Sequence, residues 1–184
     1  MAKIAVVYHS GYGHTQRMAQ AVAEGAGAEL LAIDADGNLP DAAWATLAAA
    51  EAIIMGSPTY MGSVSWQFKK FADASSKQWF AQAWKDKIAG GFTNSSGLSG
   101  DKLATLNSMF TLAMQHGMIW ASQGLMPSST KAATRDDINN VGTYSGAMAQ
   151  SPSDASPAEM SKGDLETARL FGKRIASVAA RFNK

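Results

Sequence analysis

The chain has 184 residues, of which 46% are hydrophobic and 17% are charged, and its formal net charge at pH 7 is +1. A chain of this length is expected to fold as a single domain, residues 1–184, with a sizeable buried core. The near-zero charge gives no electrostatic reason to expect nucleic acid or a membrane surface as a partner, and the absence of cysteine excludes disulfides, a thiol nucleophile and thiolate metal sites.

Five short apolar runs predict the strands of a parallel β-sheet. Most of them lack the polar alternation of a half-exposed strand, which is typical of strands that are covered on both faces. The runs are Ile4–Tyr8, Glu29–Ile33, Ala52–Gly56, Ile88–Phe92 and Ile119–Ser122.

Segments with helical periodicity separate these runs. Met18 and Val22 share one face of the first segment, and apolar residues recur at helical spacing from Leu165 to Phe182 in the last. Strand–helix alternation repeated five times predicts an α/β fold, in which a doubly wound, five-stranded parallel sheet carries helices on both faces.

One long segment breaks the alternation. Gln123–Met160 contains most of the prolines and many Ser, Ala, Asn and Gly residues, with no clear periodicity. A loop of this length inside a compact domain is typical of a functional lid, an interface arm or a disordered stretch. We predict that it contributes to the rim of a functional site or to a subunit interface, with Tyr144 as an anchor.

The start of the chain and its apolar runs bear on location. The sequence begins directly with a strand pattern, without the apolar core of a signal peptide, and no apolar run is long enough to span a bilayer. We therefore expect a cytoplasmic protein with no membrane insertion and no nucleic-acid partner.

The loop after the first run is rich in glycine and hydroxyl side chains and contains no lysine. It precedes a predicted helix, and the free N–H groups of a helix N-terminus bind anions. A Walker A motif would require Gly-Lys-Ser/Thr, and a dinucleotide fingerprint would require a third glycine where Gln16 stands. The loop therefore predicts a site for a terminal phosphate monoester, and the alternative is a plain strand-to-helix turn.

Two more loops of similar composition follow the third and fourth runs. In doubly wound sheets, ligands bind beyond the carboxyl ends of the strands, where the strand order reverses. We therefore expect one site formed by Ser10–Thr15, Ser57–Gly62 and Thr93–Gly100.

The chain resembles the flavodoxin-fold NAD(P)H:quinone oxidoreductases, the family that includes the tryptophan-repressor-binding protein. The resemblance rests on MAKIAVVYHSGYGHTQRMAQAVAEGA, GSPTYMGSVSWQFKKFAD, LAMQHGM and GTYSGAMAQSPSDASPAEMSKGDLETARLFGKRIA. It implies a flavodoxin-like fold that binds FMN, whose terminal phosphate suits the first loop. It also implies NADH or NADPH as electron donor, a quinone or similar small molecule as acceptor, and a homo-oligomer, either a dimer or a tetramer.

The resemblance also assigns site residues. The family's phosphate loop matches Ser10, Gly11, Tyr12, Gly13, His14 and Thr15. Its second flavin loop matches Pro58, Thr59, Tyr60, Met61 and Gly62, and its third matches Asn94, Ser95, Ser96, Gly97, Leu98 and Ser99. His116 matches a histidine beside the flavin and is the predicted catalytic residue, while Tyr12 and Trp79 are the predicted substrate contacts.

Two of these residues have a second interpretation. His116 precedes a glycine at a predicted helix end, where histidine commonly interacts with the helix dipole. Trp79 is equally well explained as a packing residue. Asp136 and Asp137 lack the spacing of a metal site, and we predict no metal.

Two classes of function stay open. In the first, FMN takes a hydride from NADH or NADPH and reduces a quinone, and the protein only orients the reactants. In the alternative, the protein is a flavodoxin-like one-electron carrier or an FMN-binding regulatory module. Carriers are typically acidic around the flavin, so the net charge and the absence of acid in the third loop before Asp101 favour the enzyme.

Overall fold

The computed structural model describes residues 2–182 and is built on a parallel sheet with helices packed on both faces. The strands are β1 (Ile4–Tyr8), β2 (Glu29–Ala32), β3 (Ala52–Tyr60), β4 (Ser63–Val64), β5 (Ile88–Ser95), β6 (Ile119–Trp120) and β7 (Ala147–Gln150). The helices are α1 (His14–Ala26), α2 (Asp41–Ala49), α3 (Trp66–Ala74), α4 (Ser76–Phe80), α5 (Lys102–Gln115) and α6 (Lys162–Phe182), and a 3₁₀ turn covers Pro157–Glu159.

The strand order β2-β1-β3-β5-β6 confirms the predicted flavodoxin-like, doubly wound sheet. Strand β7 also pairs in parallel with β5, and β4 forms a short antiparallel pair with the end of β3. Because β1 lies between β2 and β3, the direction in which the chain winds reverses beside it, and the carboxyl ends of β1 and β3 border the crevice where ligands bind in such folds.

The two faces of the sheet carry separate cores. Val6 and Ile54 pack on one face with α1 and α6, whereas Val7 and Ile53 pack on the other with side chains of α2, α3 and α5. Both faces are covered, which explains why the strands read as continuous apolar runs. Full burial of each aliphatic side chain contributes about 1.5–3 kcal/mol.

The fifth strand position differs from the prediction. Instead of one strand at Ile119–Ser122, the edge of the sheet consists of two short pieces, in which Ile119 pairs with Ile88 and Ala147 pairs with Phe92. Residues 121–146 leave the sheet between these pieces, so β7 and the 3₁₀ turn both lie within the segment predicted to be irregular.

Strands β3 and β5 are longer than predicted. They continue to Tyr60 and Ser95, because main-chain pairing persists after the apolar side chains end, as in the pair Ser57–Thr93. Polar residues assigned to loops are therefore held by the sheet itself. No helix within residues 2–182 combines the length and the apolar character needed to cross a membrane.

Candidate functional site

A cavity of about 680 Å³ opens where the loops after β1, β3 and β5 meet. Its volume is within the range of small-molecule sites, about 300–1,000 Å³. The predicted residues that line it are Tyr12, His14, Thr15, Pro58, Thr59, Tyr60, Met61, Gly62, Asn94, Ser95, Ser96 and Gly97. The structure thus brings the three predicted loops together at one site.

The first loop is shaped by Ser10. Its Oγ accepts hydrogen bonds from the N–H groups of Gly13 and Gln16, both at 3.1 Å. Within residues 2–182, the N–H groups of residues 11, 12, 14 and 15 donate to no protein acceptor, and the first turn of α1 has no acidic side chain. These donors, the hydroxyl of Thr15 and the helix dipole fit the oxygens of a phosphate monoester. Ser10, Gly11 and Gly13 form the backbone of this turn but are not among the lining residues.

Residues 151–157 close over the first loop, and they belong to the long segment that we predicted to form part of the site's rim or of a subunit interface. His14 Nε2 donates to the carbonyl of Ala155 at 2.8 Å. A Cβ atom at Gly13 would lie 2.8 Å from Cγ of Pro157. This segment contributes the lining residues Ser151, Pro152, Ser153, Ala155 and Pro157, and Gly100 belongs to the predicted loop Thr93–Gly100. The length of the segment and its resemblance to the family's C-terminal part pointed to such a contribution, but they did not identify the individual residues.

The second loop supplies the aromatic and apolar surface of the cavity. The ring of Tyr60 approaches Gly11 so closely that a Cβ atom there would lie 2.5 Å from its hydroxyl oxygen, and it meets Tyr12 edge-on with centroids 6.3 Å apart. Burial, with a smaller effect of Tyr12, raises the pKa of Tyr60, so the phenol is neutral at physiological pH. Tyr12 is 80% exposed and Met61 is fully exposed, and both gain burial if a flat ring binds.

The wall beside the third loop is a hydroxyl and amide network. Thr59 Oγ1 lies 2.9 Å from Thr93 Oγ1 and 2.8 Å from Thr105 Oγ1, and Ser151 Oγ donates to Asn94 Oδ1 at 3.0 Å. None of the described residues that line the cavity is Asp, Glu, Lys or Arg. The cavity therefore offers neutral donors and acceptors and no fixed charge of its own.

The predicted catalytic histidine is not brought to this cavity. His116 is 2% exposed at the end of α5, its Nε2 donates to Ser75 Oγ at 2.8 Å, and its ring lies 4.2 Å from that of Trp84. Ser75 Oγ in turn donates to the Ala72 carbonyl, and Gly117 with φ +69° ends the helix. Burial lowers the pKa of His116. Within one chain, His116 lies at the C-terminal end of α5 next to Gly117, which is the position that its second interpretation, an interaction with the helix dipole, assumed.

Three other predicted residues also lie outside the cavity lining. Trp79 sits on the short helix α4 with 45% of its surface exposed. Leu98 and Ser99 line a neighbouring surface groove together with Tyr144. Among residues 2–182, no group of three or more His, Asp or Glu side chains could hold a metal ion.

Comparison with known proteins agrees with this architecture. The family model "NADPH-dependent FMN reductase" matches residues 3–132. The chain is 58% identical to "Flavodoxin FldP" of Pseudomonas aeruginosa over 97% of both chains. It is 33% identical to the "NAD(P)H dehydrogenase (quinone)" of Geotalea uraniireducens over 97% of this chain and 98% of that one.

Among solved structures, a "flavodoxin, WrbA-like protein" from Agrobacterium tumefaciens superposes with a TM-score of 0.83 and 56% identity, covering 98% of this chain and 99% of that one. The fold, the three-loop cavity and these relatives confirm the resemblance read from the sequence. The chain belongs to the NADPH-dependent FMN reductase family and has a flavodoxin-like, WrbA-like fold.

Proposed function

We propose that the protein is an FMN-binding electron carrier of the flavodoxin type. The observation that carries this proposal is the composition of the cavity lining, in which Tyr12 and Tyr60 meet edge-on while Trp79 and His116 lie outside it. A two-electron enzyme needs further walls to hold a second flat substrate over the flavin, and two of the three residues predicted to contact that substrate or the flavin, Trp79 and His116, lie outside the lining. The 58% identical relative, which is named a flavodoxin, supports the same choice.

The donor set of the cavity fits FMN. The free N–H groups of residues 11, 12, 14 and 15 would hold the phosphate, and Tyr60 with the second loop would contact the ring system. When bound, FMN supplies the redox chemistry, because it accepts and releases electrons. The chain's own residues bind and orient it, and the neutral lining leaves its potential to be set by main-chain dipoles.

The second candidate is the two-electron reduction of quinones with NADH or NADPH as donor. The open rim favours it, since Tyr12 and Met61 are highly exposed, and so do the neutral lining and the near-zero net charge. The 33% identical relative is named an NAD(P)H dehydrogenase (quinone). A cytoplasmic location accompanies both candidates as a prediction.

Anaerobic titration of the FMN-loaded protein separates the two candidates. A carrier should leave its visible flavin absorption unchanged on addition of NADH or NADPH, and dithionite should reduce it in two resolved one-electron steps. Free FMN at the same concentration is the control for direct reaction. Rapid bleaching by NADH or NADPH, with recovery on addition of benzoquinone, would overturn the carrier and favour the quinone oxidoreductase.

We also propose a homo-oligomer, a dimer or a tetramer. Large apolar side chains remain exposed away from the cavity in the monomer, namely Trp66, Trp79, Phe80, Phe110 and Met114. Surfaces of this kind are typical of protein interfaces. Light scattering coupled to gel filtration measures the mass directly, and a monomer at micromolar concentration would contradict the proposal.

A further inference from the structure

A buried lysine lies directly behind the third loop of the cavity. Lys102, the first residue of α5, is 1% exposed. Its Nζ donates to the carbonyls of Gly97 at 2.6 Å and Leu98 at 2.9 Å and to Ser95 Oγ at 3.0 Å. An ammonium group has three donors, so all of them are used. Burial of a lysine costs free energy because its ammonium group loses its water shell. The three hydrogen bonds offset this cost, and they also tie Lys102 to the loop.

Lys102 belongs to a set of contacts that occupies every carbonyl of residues 95–99. The carbonyl of Ser95 accepts from the N–H of Ser151, and that of Ser96 accepts from the side chain of Gln150. Lys102 Nζ donates to the carbonyls of residues 97 and 98, and the main-chain N–H of Lys102 donates to the carbonyl of residue 99. Within residues 2–182, the N–H groups of residues 96–100 donate to no protein acceptor. The loop therefore has its acceptors used and its donors free.

We propose that Lys102 is a positioning residue that holds the third loop in the shape required to bind FMN. By fixing the carbonyls on the side of α5, it leaves the N–H groups of residues 96–100 available to acceptor atoms of the ligand. The inference rests on the proposed function in that FMN is taken as the ligand. It assigns to a lysine outside the cavity lining a role that its position in the sequence, at the start of a helix, does not suggest.

The charges around Lys102 lead to a pH dependence of FMN affinity that a purely structural role of the lysine would not produce. Burial lowers the pKa of Lys102 to about 8, Asp164 of α6 opposes this effect, and Arg135 adds to it. Arg135 and Asp164 are themselves paired at 2.5 Å. Above this pKa the neutral amine keeps only two N–H donors for its three acceptors, so the loop loses one hydrogen bond. The affinity for FMN should then fall as the pH rises.

The experiment compares Lys102→Met with a matched control, Lys87→Met. Lys87 Nζ also donates to main-chain carbonyls, those of Ala48 and Ala50, but at the amino end of β5, away from the cavity. The dissociation constant for FMN, measured by quenching of FMN fluorescence, should rise about tenfold in K102M, or about 1.4 kcal/mol. In K87M it should stay within about twofold of the wild-type value.

The pH profile completes the test. The wild-type dissociation constant should rise several-fold between about pH 7 and pH 9, and the K102M profile should be flat. A folded K102M that binds FMN as tightly as the wild type overturns the inference, and a flat wild-type profile overturns it even if K102M does not fold. A wild-type protein that does not bind FMN at all instead refutes the proposed function, so the two failures are distinguishable.

Discussion

Replacement of Gly13 by alanine tests how the first loop and the segment over it depend on each other. Gly13 lies at the N-terminus of α1 with φ +92° and ψ −21°, a backbone conformation that residues with a Cβ atom rarely adopt. The new Cβ would also lie 2.8 Å from Cγ of Pro157, which is closer than such contacts allow. Gly13→Ala therefore combines a backbone cost with a steric cost.

Gly27 at the other end of α1 separates these two costs. It also has a positive φ, +62°, but a Cβ there would meet nothing within 4 Å. Gly27→Ala should lower the free energy of unfolding by about 1–2 kcal/mol, the cost of a left-handed residue. Gly13→Ala should lower it by about 1–3 kcal/mol more, which is typical of overpacking, and Pro157→Ala in the same chain should recover most of this difference.

Equilibrium unfolding in urea measures these differences, and FMN fluorescence measures the consequence for binding. Gly13→Ala should weaken FMN binding at least tenfold, because the loop or residues 151–157 must move, while Gly27→Ala should leave it unchanged. Equal losses of stability in the two variants, with no coupling to Pro157, would refute the packing argument. Unchanged FMN affinity in a folded Gly13→Ala protein would refute the placement of the phosphate.

Three further predictions use the same measurements. Thr15→Ala should weaken FMN binding by about 1–2 kcal/mol, since one hydrogen bond to a charged group is lost, and an unchanged affinity would contradict the phosphate site. His116→Ala should lower the free energy of unfolding by about 2–4 kcal/mol, because packing against Trp84 and the hydrogen bond to Ser75 are lost. The affinity for FMN should stay within about twofold of the wild-type value, and a large loss of affinity would favour the role of His116 beside the flavin. Because the pKa of Lys102 is lowered from 10.5 to about 8, the unfolded chain binds more protons between these values. The wild type should therefore gain stability over K102M as the pH rises through that range, by up to about 1.4 kcal/mol per pH unit, and parallel pH profiles of the two proteins would contradict this.

The elements that the sequence predicted well are those in which local chemistry and tertiary structure agree. Strand β1 was predicted with its observed bounds because an apolar run stops at a glycine-rich loop. Strand β7 was missed because Ala147–Gln150 is short, mixed in character and without β-branched residues. It is a strand only because the end of β5 offers an unpaired edge at that point.

The candidate site likewise has parts that could be predicted from the sequence and parts that could not. Its three loops were predictable, because each follows a buried strand and is rich in glycine and hydroxyl side chains. The contacts of Pro157 and Lys102 were not predictable, because they depend on segments that are far apart in sequence or on burial of a charge that would ordinarily be solvated. The resemblance matched His116 to a histidine beside the flavin because the residue type is the same. It contained no information on the neighbours of His116, which are Ser75 and Trp84.

The edge strand of the sheet is interrupted between β6 and β7 by a long segment that starts and ends at the same edge. Between the partners of β6 and β7, only Gly90 and Gly91 of β5 lack a residue opposite them, and the Ala121 N–H already bonds to the Ala89 carbonyl at 2.8 Å. Joining Ala121 directly to Gly146 would fill both places and create an edge as long as the eight-residue β5. Residues 122–145 are thus an excursion that leaves and rejoins the edge of the sheet at neighbouring places, so its length does not affect the register of β6 and β7. The pair of Arg135 with buried Asp164 ties this excursion to α6, so a segment that replaced it would have to supply a partner for that carboxylate.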